Sequence, residues 1–163
     1  MISLKQLDKN STAAVLAFFK SCSGYFLMAE GQEADEAAVT AFFEERPPAC
    51  RPEEKHLFGV FEGEMLIGVI DLVENYPEQG EWIIGLMLFH PDRRGKGLGR
   101  MVHRELTEIA RAGGARKMRV GVVEQNTGGL AFWTRLGYRE KERTAPRLMG
   151  QKESIIIVMN LEI

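Results

Sequence analysis

The chain has 163 residues, 45% of them hydrophobic, with 23 acidic against 21 basic side chains and a net charge of −2. That length suits one domain with a full core, read here over residues 1–163, and the charge argues against a nucleic acid or an anionic membrane as partner. No run approaches the roughly 18 apolar residues of a membrane span, and the N-terminus lacks the layout of a secretory signal, so the cytoplasm is the expected compartment. Cys22 and Cys50 lack CxxC spacing and read as reduced thiols. His56, His90 and His103 share no ligand spacing, so no metal site is expected.

Ile2 to Leu7 alternates apolar and polar residues, as a strand does. Asn10-Ser11 can cap a helix over residues 12–21, with Val15, Leu16, Phe18 and Phe19 on its apolar side. Ser21 to Gly31 reads as a break in regular structure. Asp35 caps a second helix running to Glu45 or Arg46, which Pro47-Pro48 stops. Leu57–Glu62 and Met65–Val73 form a hairpin around Glu62-Gly63-Glu64. Trp82 to Phe89 is a nearly continuous apolar run, as in a strand covered on both faces, and Gly85 within it marks a bulge or a close backbone approach.

Leu98, Val102, Leu106, Ile109 and Ala110 recur at helical spacing, and Gly113-Gly114 ends that helix. His103 is placed on its exposed side. Lys117–Val123 is a further strand, Asn126 follows it, and residues 129–136 form a short helix ended by Gly137-Tyr138. Tyr138–Arg143 and Ser154–Leu161 are strands flanking a basic, irregular loop at 144–153. The order β-α-α-β-β-β-α-β-α-β-β gives one α/β domain.

The most informative segment is Pro91-Asp92-Arg93-Arg94-Gly95-Lys96-Gly97-Leu98-Gly99-Arg100, between the apolar strand and the amphipathic helix. Glycines let backbone N–H groups crowd inward, and the helix adds its unpaired N–H groups and positive dipole end. A phosphate or pyrophosphate is the natural guest. It is not a P-loop, because Gly97 follows Lys96 where a hydroxyl is needed for magnesium. Nor is it the dinucleotide fingerprint, because Gly95, Gly97 and Gly99 are spaced by two throughout.

With Arg94-Gly95-Lys96-Gly97-Leu98-Gly99 after Leu88-Phe89-His90-Pro91, and Asn126 followed by Ala131-Phe132-Trp133-Thr134-Arg135-Leu136-Gly137-Tyr138, the chain resembles the GNAT superfamily of acetyl-CoA-dependent N-acetyltransferases. The resemblance implies a mixed, mostly antiparallel twisted sheet of about six to seven strands, flanked by about four helices, with the fourth and fifth strands splayed to admit the pantetheine arm. It implies that main-chain amides from Arg94 to Arg100, through Gly95, Lys96, Gly97, Leu98 and Gly99, hold the pyrophosphate of acetyl-CoA as cosubstrate. Arg94, Lys96 and Arg100 add charge there or serve solubility. Leu88 and Phe89 would pair by backbone with the pantetheine, their side chains being core.

Asn126 either caps the following helix or hydrogen-bonds the pantetheine–pyrophosphate region. Trp133 would border the cofactor where many family members carry a tyrosine that protonates the departing thiolate. Indole cannot do that, so the general acid is open, Tyr138 being read mainly as a packing residue. Deprotonating an amine needs a base. Glu81, Asp71, Glu74 and Glu124 are the candidate carboxylates, and Glu81 is the first choice for catalysis, against a solvated strand-end role.

The aromatic stretch Ser21 to Met28, with Tyr25 and Phe26, either lines the acceptor pocket or roofs the core. Glu30, Glu33, Asp35 and Glu36 beyond it suit a cationic acceptor or a helix start. The expected activity is acetyl transfer to a primary amine of a small molecule or peptide by direct attack. The other reading is an acyl-CoA-binding sensor without chemistry. Ile155–Val158 is apolar enough to pair across a homodimer or to lie within the sheet.

Overall fold

The computed structural model describes residues 1–163. Its elements are β1 (Ile2–Gln6), α1 (Thr12–Ser21), α2 (Ser23–Glu30), α3 (Glu36–Glu44), β2 (Lys55–Glu62), β3 (Met65–Val73), β4 (Glu81–Phe89), α4 (Leu98–Ala112), β5 (Lys117–Val123), α5 (Thr127–Arg135), β6 (Arg139–Arg143), β7 (Arg147–Met149), β8 (Lys152–Ser154) and β9 (Ile156–Glu162). Seven strands form one sheet in the order β1-β2-β3-β4-β5-β9-β6, and β7 and β8 form a separate hairpin. Every pairing is antiparallel except β4 with β5. This is the single mixed α/β domain expected. No single helix is long and apolar enough to cross a membrane.

Hydrophobic patterning sorts the helices onto the two faces of the sheet. The α4 and α5 face buries Leu98, Val102, Leu106, Ala110 and Trp133 against Ile67, Ile70, Ile84 and Val120. The opposite face carries α1, α2 and α3, whose Val15, Phe18, Phe19, Phe26, Val39 and Phe42 pack on Val69 and Leu88. Phe19 joins that layer, its ring 4.9 Å from Phe26 and 5.7 Å edge-on from Phe42.

Several expectations need correction. Ser21 to Gly31 is not irregular: the chain bends by 76° at Cys22 and then forms α2, which Gly31 ends in the left-handed region at φ 71°. There are therefore five α-helices rather than four. The basic segment after Arg143 holds the β7–β8 hairpin. His103 is buried at 6% exposure, not solvated, because its face of α4 meets Trp133 of α5 and Tyr138 just beyond it, whose hydroxyl lies 2.9 Å from Nε2. The C-terminal strand lies within the sheet, paired on both edges by β5 and β6.

Phe19→Ala is expected to cost about 3–5 kcal/mol in denaturant unfolding, because it opens a cavity shared by three helices. Burial depresses the His103 pKa from its usual 6.5. The unfolded chain then binds a proton that the folded one refuses, so the stability present above about pH 6.5 is lost as pH falls through that value. The unfolding midpoint of the wild type is expected to drop below about pH 6.5 more steeply than that of His103→Gln.

Candidate functional site

The sheet opens where β4 leaves β5. The two strands pair only from Glu81↔Lys117 to Ile84↔Val120. Beyond this, β4 stays with β3 as far as Phe89, while β5 stays with β9 as far as Val123. Gly85 is the extra residue in the β3–β4 register, since Asp71 pairs with Leu86 and Leu72 with Ile84. A bulge adds twist and turns the strand, so the last half of β4 swings away from its parallel neighbour. The expected bulge and the expected splay are one feature.

A cleft of about 770 Å³ fills the opening. Its walls are the end of β4 (Met87, Leu88, Phe89), the loop and first turn from Arg93 to Arg100, the start of α5 from Asn126, and α2 across the gap with Gly24, Tyr25 and Met28. Of the residues singled out from sequence, it gathers Leu88, Phe89, Arg94, Gly95, Gly97, Leu98, Gly99, Arg100, Asn126, Trp133 and Tyr25.

The loop is built for main-chain donation. Gly95 and Gly97 take positive φ, 75° and 82°, with nothing within 4 Å of a Cβ built on either. Gly97 is the N-cap of α4 and supplies no side-chain cap. The amides of residues 95–100 donate to no group in the protein, so the helix start presents unpaired N–H groups beside the cleft. Gly99 has a different role: a Cβ there would lie 2.9 Å from the Phe132 ring, so it lets α4 and α5 approach.

The cations divide by task. Arg94 Nε donates to the Phe89 carbonyl at 2.9 Å, and Lys96 Nζ to the Asp92 carbonyl at 3.2 Å. Arg93 pairs with Glu62 at 2.7 Å. These three brace the loop and its approach. Lys96 is not among the cleft-lining residues, whereas Arg100 is, and Arg100 forms no ion pair with a side chain of the protein.

Asn126 caps α5, its Oδ1 accepting from the Gly129 amide at 2.9 Å while the residue borders the cleft. Trp133 is 8% exposed and packs edge-on against Phe132, Tyr138 and His103. Tyr138 is buried and engaged with His103 behind it, and burial pushes its phenol far up. Tyr25 is the cleft's one hydroxyl, its pKa pushed up to about 12 by burial and by Glu30. Phe26 turns instead into the α1–α3 core at 4% exposure.

Glu81 is not brought to the cleft. It begins β4, inside the paired part of β4 and β5, 2% exposed with Oε2 3.4 Å from Arg119 Nη1. Glu124 pairs with Arg143 at the surface and Glu74 with His56. Asp71 holds Lys55 at 2.9 Å under α3, next to Gly85. Sequence reasoning missed Met87, Phe132 and Arg135 in the lining, whereas Met28 closes the Ser21 to Met28 stretch read as a pocket wall. The alternation beyond the bulge could have placed Met87.

Residues 14–138 match the model of the acetyltransferase (GNAT) family. The chain is 26% identical over 115 residues to the uncharacterised N-acetyltransferase YobR of Bacillus subtilis (strain 168), covering 69% of this chain and 43% of that one. It thus spans less than half the length of that relative. Among solved structures, an acetyltransferase of Thermus thermophilus superposes with a TM-score of 0.83 at 20% identity, covering 100% of this chain and 97% of that one. The ribosomal-protein-S18-alanine N-acetyltransferase of Escherichia coli superposes at 0.72 with 16% identity, covering 100% and 94%. The splayed strands and the glycine-rich helix start, together with a family match over most of the chain, make this protein a member of the GNAT family of acetyltransferases.

Proposed function

We propose that the protein transfers the acetyl group of acetyl-CoA to a primary amine of a small molecule or peptide by direct attack of the amine. The observation that carries this reading is the run of unpartnered amides from Gly95 to Arg100 at the mouth of the β4–β5 cleft. Six adjacent donors without side-chain cover fit a diphosphate, to which Arg100 adds a charge-assisted contact. Leu88 and Phe89 offer the free edge of β4 to the pantetheine arm, with Asn126 and Trp133 on the facing wall. Acetyl-CoA supplies the activated acyl group. Tyr25 stands at the acceptor side, its hydroxyl protonated at neutral pH and available as a donor.

Direct attack is supported by the state of Cys22. Its thiol is near the cleft, 3.8 Å from the Phe89 carbonyl, but 1% exposed, and burial pushes its pKa up. A thiol held neutral and shielded is a poor acyl carrier. Trp133 favours a second reading, an acyl-CoA sensor, because indole cannot protonate a leaving thiolate.

Calorimetric titration with acetyl-CoA, followed by thiol release over a panel of primary amines, separates the two. The transferase reading expects saturable binding and amine-dependent release of free CoA. Binding with no release from any amine supports the sensor, and a folded protein that binds no acetyl-CoA overturns both. Gly97→Val forces a β-branched residue into the left-handed region, at about 1–2 kcal/mol. It is expected to weaken acetyl-CoA binding about tenfold or more in the same titration.

A further inference from the structure

Resting on the proposed acetylation of an amine, we infer that Asp71 is the catalytic base: its carboxylate, lying over Gly85 where β4 parts from β5, takes the proton from the acceptor nitrogen. Four observations place it there. Ile84↔Val120 is the last pair of β4 with β5, and Gly85 is the first β4 residue beyond it. A Cβ on Gly85 would lie 3.1 Å from Asp71 Oδ2, so the carboxylate occupies the space left by the missing side chain. Gly85 is itself exposed in a strand that is otherwise mostly covered, so this spot opens toward solvent two residues before Met87, where β4 begins to line the cleft. Finally, Asp71 Oδ1 is shielded from solvent and has no hydrogen-bond partner.

The surroundings suit a base. Asp71 faces two charged groups, Lys55 on β2 and Glu45 at the end of α3. Burial raises its pKa and Glu45 adds to this, while the Lys55 ammonium, 2.9 Å away, works against both. Lys55 is 4% exposed and is itself fixed by the Glu45 carbonyl at 2.6 Å, so the pair is held in one geometry. A carboxylate whose pKa is raised binds a proton more firmly than an exposed one, which is what a base requires.

The chemistry balances. The nitrogen of the free amine forms a bond to the thioester carbonyl carbon, and the bond from that carbon to sulfur breaks. Nitrogen becomes strongly acidic as it bonds to carbon, and Asp71 takes its proton. The departing thiolate acquires one proton from water, and Asp71 returns its own to water. Amine and acetyl-CoA thus become amide and free CoA.

The test uses the full chain with acetyl-CoA and three probe amines: phenethylamine, spermidine and a lysyl dipeptide. Asp71→Asn is expected to bind acetyl-CoA as the wild type does, which also certifies its fold, while kcat falls about 100-fold or more. Gly85→Ala, whose Cβ crowds the carboxylate, is expected to lower kcat in the same direction. Lys55→Met removes the cation that favours the charged form, so the acid limb of its kcat profile should move to higher pH. The amine's own titration is common to both profiles and cancels. Wild-type turnover in Asp71→Asn, or an unmoved acid limb in Lys55→Met, overturns the assignment while leaving the transferase reading intact. Absence of acetyl-CoA binding, or binding with no release from any probe amine, overturns the transferase reading and the assignment with it.

Discussion

Everything in the cleft depends on β4 abandoning β5 after four paired residues. A parallel pair this short gives up main-chain hydrogen bonds that a longer ladder would make, and unpaired backbone groups are tolerable only where water or a ligand can reach them. The loss is confined to one seam because each strand keeps its other partner: β4 runs with β3 to Phe89, and β5 runs with β9 to Val123. Gly85 is the hinge of this arrangement. It supplies the bulge that redirects β4, and its missing side chain leaves room for Asp71 beneath α3.

The far wall of the cleft is assembled from the other end of the chain. Lys152 Nζ and Gln125 Nε2 both donate to the Met28 carbonyl, at 3.0 and 3.1 Å. The Gln151 amide donates to the Glu30 carbonyl at 2.8 Å, and Gln125 also reaches Ser154 Oγ at 2.8 Å. The last carbonyls of a helix need partners, and here the β7–β8 hairpin and the start of the α5 loop provide them. A short helix of eight residues could not hold Tyr25 at the cleft unaided. Its position is a tertiary property, set by residues more than ninety positions away in sequence.

That dependence explains what the sequence disclosed and what it hid. The helix of Leu98 to Ala112 was readable because its apolar stripe is sustained over four turns, and the apolar run Trp82–Phe89 because both faces are covered. Gly85 announced a bulge, since a glycine inside such a strand has few other purposes. The α2 helix was obscured by Ser-Cys-Ser-Gly, which reads as a break; the bend is real, but the helix restarts one residue later. His103 was misplaced because the periodicity of α4 shows one apolar stripe, whereas Trp133 of α5 and Tyr138 just beyond it add a second contact from the flank. Glu81 attracted attention by lying on the right strand, but its place near the start puts it in the paired section. No local signal reports how far along a strand a seam opens.

The sheet also separates two kinds of work. On the α4 and α5 side, the groups suited to a diphosphate are backbone amides, with Arg94 and Lys96 turned back onto the carbonyls of Phe89 and Asp92. Polar side chains on that side are largely committed: Asn126 caps α5, and the Tyr138 hydroxyl meets His103. The Trp133 ring completes an aromatic cluster there rather than offering a proton. The opposite layer holds Tyr25, Glu30, Asp71 and Lys55, with three ionisable groups whose pKa values burial has raised. On the proposed reading, cofactor capture belongs to the first layer and proton handling to the second. A tryptophan in place of a hydroxyl at position 133 is then consistent with chemistry, because the titratable groups reach the seam from the other side of the sheet.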